Sequence, residues 1–412
     1  MALPGGGGGG GGPAPVQPPP APVLTAPAPI LASTCAHTPG AGREFNVGGP
    51  AGTPNRVDQI QEIPWEGLVP GDTVRIHWQA QPYAARLPLL RSGTAAHPIR
   101  VCGVLGGATG DQRPRITGRQ AVTRQAPALQ NGKQADLAAY GIVTITGNSF
   151  ESRVEHVIVE GLRIGDTKNG DGTNSGADNA AFINANGQPA QYVTAAACIR
   201  MRQAAHITIR NNEIDNCGDG IFAGSLADNE NHIVRHLLVE GNYLHGNAII
   251  GNESRHQAYL QGVDITVQSN YFGQVRTNGS GVASGNQLKT RAAGLVVRYN
   301  YFLNGARSLD MVEAEEHSWM ILPWKYQRHR ARYLACQQNG CLKLNAQELA
   351  EYDARHVQDW AKYQAAYVYG NLFHVRGRSD AGARLPTNLV HYGYDNVQHD
   401  RQAGTAWFFH NT

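Results

Sequence analysis

The stretch Gly285-Asn-Gln-Leu-Lys289-Thr-Arg291-Ala sets an amine and a guanidinium two residues apart. Read as a strand, its side-chain period of two puts Gln287, Lys289 and Arg291 on one face, with Leu288 and Thr290 on the other. The chain has six Lys against 29 Arg, so a Lys here points to a task that Arg cannot perform. Arginine stays protonated, whereas a lysine beside another cation can lose its proton and act as a base. About one repeat earlier stands Arg255-His256-Gln-Ala-Tyr259; on adjacent strands, Tyr259 and Lys289 would stack about 4.8 Å apart. A base, a fixed cation and a proton-bearing phenol or imidazole can together remove a weakly acidic proton, hold the charge that forms and assist a leaving group. The same residue types also make a plain solvated ladder, and a histidine such as His256 is as often a buried hydrogen-bonding residue as a catalyst. Next comes Ala306-Arg307-Ser-Leu-Asp310-Met-Val-Glu313, with Arg307 as a further anion contact. Asp310 and Glu313 are its candidate metal ligands; Ca2+ is the expected ion, and no other cofactor is implied. Pairing of these acids with Arg291 or Arg307 accounts for them without a metal.

The elements that must position these groups announce themselves as a repeated phrase, a short apolar strand followed by Asn. It recurs at Ile207–Ile214, Leu238–Leu244, Ile265–Phe272, Val296–Phe302, Tyr367–Phe373 and Trp407–Thr412, with His156–Ile164 as a weaker copy. Asn212, Asn242, Asn270 and Asn300 stand about one coil apart, the regularity expected of stacked units that bury their faces only against neighbours. The Asn is then structural, tolerating left-handed backbone, satisfying turn peptides and stacking over the Asn of the next rung. Tyr243, Tyr271, Tyr299 and Tyr301 lie beside it and are expected to pack rung on rung. With 49 glycines, 41% hydrophobic and 16% charged residues, the chain is too apolar for a disordered one and favours many short strands and tight turns. A net charge of +3 argues against nucleic acid as a partner.

Together with Pro70–Ile76, Ser92–Val101 and Arg113–Gly118, these phrases resemble right-handed parallel β-helix proteins, specifically extracellular polysaccharide lyases of the chondroitinase B and alginate lyase type. They also resemble secreted proteobacterial β-helix proteins that carry His-x-x-Tyr followed by a Lys-[Ser/Thr]-Arg-Ala strand. The resemblance implies an all-β solenoid and an acidic, uronate-containing polysaccharide as substrate, cleaved by β-elimination. It singles out Lys289, because those lyases carry a catalytic Lys just before a stretch similar to Tyr299–Gly305. They carry an Arg in Arg-His-Gly one coil later, where this chain reads Ala306-Arg307-Ser; Arg291 or Arg307 is then expected to take that role. Lys289 is assigned the base, Arg291 the uronate carboxylate, and Tyr259 or His256 the leaving group, with Arg255, Gln287 and Arg307 as substrate contacts. Two other classes stay open. One is a polygalacturonase-like hydrolase, for which Asp215-Asn-Cys-Gly-Asp219-Gly-Ile221 offers a match without a second carboxylate set. The other is a glycan-binding solenoid without catalysis.

Residues 1–40, glycine-rich and then Pro/Ala-rich, read as a tether, and 41–412 as the β-helix domain. The start resembles no signal peptide, and no apolar run is long enough for a transmembrane segment; a lipoprotein or export signal removed upstream is one expectation, and the phrase left incomplete at Thr412 suggests a longer natural protein. The interval between Asn300 and Asn371 is too long for one coil and holds an insertion near 315–362, with Asn345-Ala-Gln-Glu348 as a helix-capping signal. Its Trp324 and Arg328 are expected to reach an acidic glycan. Six cysteines fit an oxidising compartment, hence a secreted, periplasmic or cell-surface monomer. Cys336 and Cys341 are spaced for a small disulfide loop, while Cys198 and Cys217 read as isolated core residues.

Overall fold

The computed structural model describes residues 35–37, 42–226, 230–278, 281–338, 345–375, 388–396 and 404–412. The chain is mostly β, in large parallel sheets. Ala204–Arg210, Arg235–Glu240, Ala258–Gln268, Leu288–Arg298, Ala365–Tyr369 and Thr405–Phe409 pair in succession, each parallel to the last. Their register sets like against like. Ile209, Val239, Val267, Val297 and Val368 fall opposite one another and are fully buried, each contributing roughly 1.5–3 kcal/mol by leaving water. The alternate positions Arg210, Glu240, Gln268 and Arg298 face the other way.

The repeated Asn residues form one continuous ladder. The side-chain amide of Asn212 donates to Asn242 at 3.1 Å, Asn242 to Asn270 at 3.0 Å, and Asn270 to Asn300, Asn300 to Asn371 and Asn371 to Asn411 at 2.9 Å each. Each acceptor oxygen also takes the backbone N–H of the preceding rung, so buried peptides at the turn are satisfied. One detail differs from expectation: the left-handed backbone sits one residue earlier, at Asn211, Gly241, Ser269, Tyr299, Gly370 and His410. In the second sheet Tyr243 stacks on Tyr271 at 4.9 Å, with Tyr301 next at 5.0 Å, and Phe272, Phe302 and Phe373 stack inside.

Among the described residues, two disulfides add covalent ties. Cys198 and Cys217, expected as separate core residues, are bonded to each other; they lie on neighbouring coils, so the fold brings together thiols that look unrelated along the chain. Cys35 is bonded to Cys102 and is buried, so the packed body begins before residue 41. Cys341 of the expected Cys336–Cys341 bridge falls outside the described residues, as does the rest of the 1–40 tether. The insertion is helical over Ser318–Ile321, Pro323–Gln338 and Ala346–Tyr363, the last opened by the Asn345/Glu348 capping box. Met320, Ile321, Leu322, Tyr326 and Tyr363 pack on Val263 and Ala293 of the sheet and on Ile233 just ahead of it. Arg235 clamps the contact by pairing with Asp359 of the last helix and with Glu230. No helix among the described residues is long and apolar enough to cross a membrane.

Candidate active site

The two longest strands bend at residues with left-handed backbone, Asp264 (φ 59°) and Gly294 (φ 67°). Ahead of the bend they pair with Asp219–Ala223 on one side and Arg307–Met311 on the other, and these pair in turn with Ala197–Met201 and Asn388–Tyr392. One register row runs across these strands: Arg200, Phe222, Tyr259, Lys289, Asp310, His391. Tyr259 and Lys289 are thus direct neighbours, as their equal offset from Asn270 and Asn300 requires.

The row forms part of the wall of a cavity of about 450 Å³ lined by Arg200, Arg202, Phe222, Arg255, His256, Tyr259, Gln261, Lys289, Arg291, Glu315 and Asp395, among others. A smaller cavity of about 270 Å³, with Arg307, Asp310 and Asn286, shares Ser254, Lys289, Asp395 and Asn396 with the first. Lys289 and Asp395, which form an ion pair, therefore stand between the two.

Around Tyr259 the hydrogen bonds converge. Its hydroxyl oxygen accepts from Arg291 Nε at 2.7 Å and from Gln261 Nε2 at 3.0 Å, while its proton points to Glu315 Oε2 at 3.0 Å. Burial pushes the phenol pKa up, beyond what the Arg291 charge pulls down, so the hydroxyl keeps its proton through the neutral range. Arg291, expected to meet a substrate carboxylate, is only 1% exposed. It lies 3.1 Å from each of Glu313, Glu315 and Asp395. Burial opposes its charge, but Tyr259, Glu315 and Glu313 outweigh that and raise its pKa. Its donors are spent on protein groups, the Tyr259 oxygen among them.

His256 is buried, and its Nδ1 accepts the backbone N–H of Asn286 at 3.0 Å, which leaves the ring proton on Nε2. Burial, then the charges of Lys289, Arg255, Arg291 and Arg307, hold its pKa well below the ordinary value, so it is neutral. Its edge meets the Tyr259 ring at 5.5 Å. Arg255 rests on the fully buried Asp219 at 3.1 Å while lining the cavity.

Other expected residues lie elsewhere. Gln287 does not share the outward face of Lys289: it is fully buried and its amide donates to the carbonyls of Phe272, Gly273 and Leu303, because the strand begins only at Leu288. Trp324 and Arg328 sit on the helix Pro323–Gln338 and line neither cavity; Trp324 packs on Trp360. Of the 315–362 insertion, Glu315 and Glu316 reach the larger cavity. Asp310 and Glu313, the expected cation ligands, are both engaged by protein donors. Asp310 is engaged by His391 at 2.7 Å, Asn286 at 2.7 Å, Arg307 at 3.2 Å and Lys289 at 3.7 Å. Glu313 accepts the backbone N–H groups of Asp395 and Asn396 at 2.8 and 2.7 Å. Donors thus already hold both carboxylates. Among the described residues, the one close group of potential ligands is Glu213, Asp215 and His245, whose acids pair with Arg163 and Arg115.

Sequence reasoning missed Arg200, Arg202 and Asp395. For the first two a signal existed: Ile199-Arg200-Met201-Arg202 alternates apolar and cationic residues, as Leu288–Arg291 does in part. For Asp395, more than 100 residues from Lys289, there was none.

No family model matches the chain, and no curated protein does. Among solved structures, an alginate lyase from Paenibacillus sp. str. FPU-7 overlays with a TM-score of 0.34 at 14% identity, over 83% of this chain and 93% of that one. A GH136 lacto-N-biosidase from Eubacterium ramulus overlays with a TM-score of 0.29 at 10% identity, over 90% of this chain and 67% of that one. Both overlays are too loose to carry a residue or a role across.

Proposed function

We propose that this chain is a right-handed parallel β-helix that acts outside the cytoplasm as a polysaccharide lyase, cleaving a uronate-containing chain by β-elimination. The parallel strand ladders and the continuous Asn ladder support the fold reading, and the two disulfides fit an oxidising compartment. The observation that carries the reaction is the convergence of Arg255, His256, Tyr259 and Lys289 on one cavity, with two donors already on the Tyr259 oxygen.

In this reading Arg255 neutralises the uronate carboxylate, which acidifies the adjacent C5–H. Lys289 takes that proton, the C4–C5 double bond forms, the C4–O4 bond breaks, and Tyr259 gives its proton to the departing O4. Arg291 and Gln261 then stabilise the phenolate from the positions they already hold. An ion-paired ammonium has no lone pair, so Lys289 acts as base only after the substrate opens its contact with Asp395 and its own proton has left to solvent. His256 Nε2–H is a neutral donor to the sugar beside Tyr259, and Arg307 serves the sugar in the smaller cavity.

The test is absorbance in the unsaturated-uronate band during incubation with a panel of acidic polysaccharides, with and without Ca2+. A rise that disappears in Lys289→Ala is expected. Hydrolysis is the second reading, because Glu315 and Asp395 line the same cavity; new reducing ends without absorbance would establish it instead. Neither signal on any polymer would leave glycan binding alone.

A further inference from the structure

Most cations on the two cavities have carboxylate partners. Arg255 pairs with Asp219, Lys289 with Asp395, Arg291 with Glu313 and Arg307 with Asp310. Arg200 differs. It is 5% exposed, yet its guanidinium makes no hydrogen bond or ion pair among the described residues, and its Nε is buried and unpartnered. Two rings hold it, Phe222 at 4.0 Å and Tyr140 at 4.9 Å, and all three line the larger cavity. Arg202, just past the end of the strand, also lines the cavity and has a buried Nε without a partner. Asp219 attracts Arg200 through space, but its oxygens are taken by Arg255 and the backbone N–H of His256.

A buried guanidinium without an acceptor is costly in a folded protein. The aromatic clamp offsets part of that cost and fixes the direction of the fork, while leaving its N–H donors unused. Burial pushes the Arg200 pKa down to about 10, so the charge persists at neutral pH. The group is thus a preformed, desolvated cation facing an open cavity, and what it lacks is an anion.

Its position says where that anion belongs. Arg200 pairs in register with Phe222, and Phe222 with Tyr259; at about 4.8 Å per strand, Arg200 stands roughly 10 Å along the cavity from Tyr259. We infer that Arg200, with Arg202 beside it, is an anion subsite that takes a carboxylate or sulfate on a sugar about two residues away from the one held at Tyr259. The inference rests on reading the cavity as a glycan groove, but not on the reaction carried out there. It makes the protein selective for chains charged at that second position and for oligomers long enough to reach it.

Calorimetric binding of uronate di- and tetrasaccharides, the carboxyl-reduced tetrasaccharide and a sulfated neutral tetrasaccharide tests this on the full chain and on Arg200→Gln. The uronate tetrasaccharide should lose about ten- to a hundredfold in affinity in the variant, as expected for a desolvated charge-assisted contact, and the disaccharide should not. The carboxyl-reduced tetrasaccharide, which also lacks the carboxylate for Arg255, should bind the wild type at least as weakly as the acid binds the variant. Tight sulfated-tetrasaccharide binding that is lost in Arg200→Gln would assign sulfate rather than carboxylate. Removing an unpaired charge should leave the thermal midpoint unchanged or higher; a clear drop would show that Arg200 is structural and overturn the proposal. Arg202→Gln, outside the aromatic clamp, repeats the measurement if the first variant does not fold. Equal affinity of wild type and variants for every ligand, an equal loss for di- and tetrasaccharide, or no binding by the wild type would each overturn it. Charge-dependent binding without unsaturated product would instead retire the lyase reading and leave the subsite standing.

Discussion

Replacing Tyr259 by Phe removes one oxygen and little volume, so its effects can be assigned to hydrogen bonds. Three are lost: from Arg291 at 2.7 Å, from Gln261 at 3.0 Å and to Glu315 at 3.0 Å. Glu315 stays in place, because Gln261 at 3.2 Å, Arg291 at 3.1 Å and Asn396 at 2.8 Å still hold it. Arg291 keeps its carboxylates and loses only the acceptor of Nε. The stability cost is therefore that of one buried donor left open, about 1–3 kcal/mol. The rate effect should be larger, since loss of a positioned general acid typically lowers turnover by about 10²–10⁴. Steady-state formation of unsaturated product should show kcat falling within that range and KM nearly constant, with urea unfolding of the same variant as the control. The raised phenol pKa means that wild-type turnover should have no alkaline fall attributable to Tyr259 until well above neutral pH. A Tyr259→Phe enzyme with kcat within about threefold of wild type would refute the acid role, because removing the group that protonates the leaving oxygen cannot cost so little.

Burial holds the His317 pKa down to about 4, and its Nε2 donates to the Arg291 carbonyl at 2.9 Å. The unfolded chain binds this proton first, so stability present near neutral pH should fall as pH drops from about 6.5 to 4, by on the order of 3 kcal/mol; denaturation across that window should be flatter in His317→Gln. Asn270→Ala breaks the Asn ladder mid-run, leaving the Asn242 N–H without its acceptor and the Asn242 side-chain amide with the Ile209 carbonyl alone, and should cost about 2–4 kcal/mol in chemical unfolding while the cavity residues stay in register. Replacing Cys198 and Cys217 together by Ala opens a loop with a sequence separation of 19 and should cost about 3 kcal/mol, read as a lowered thermal midpoint.

The parts legible in the sequence are those that nearest-neighbour stacking repeats. A phrase ending in Asn returns at nearly constant spacing, so the Asn ladder and the rung-on-rung tyrosines follow from local pattern. Tyr259 and Lys289 could be placed side by side because their coils are the same length up to the ladder Asn. The capping box of the last insertion helix was legible for a similar reason, since its two partners are three residues apart.

What only the tertiary structure decided depends on coils of unequal length or on distant returns of the chain. Gln287 looked outward by a period of two, but the period starts at Leu288, and at the corner before it the amide turns in to satisfy three carbonyls. Arg200 joins the row of Tyr259 and Lys289 across coils interrupted by loops of different size, so no constant offset reveals it. Asp395 comes from a return of the chain far beyond the helical insertion and sets the charge balance at Lys289 and Arg291. Cys198 finds Cys217 only because successive coils bring them together. Side-chain periodicity and stacking are short-range and leave their mark on the sequence. Which charges meet, and which guanidinium is left without a partner, depends on three-dimensional proximity, which a linear pattern does not encode.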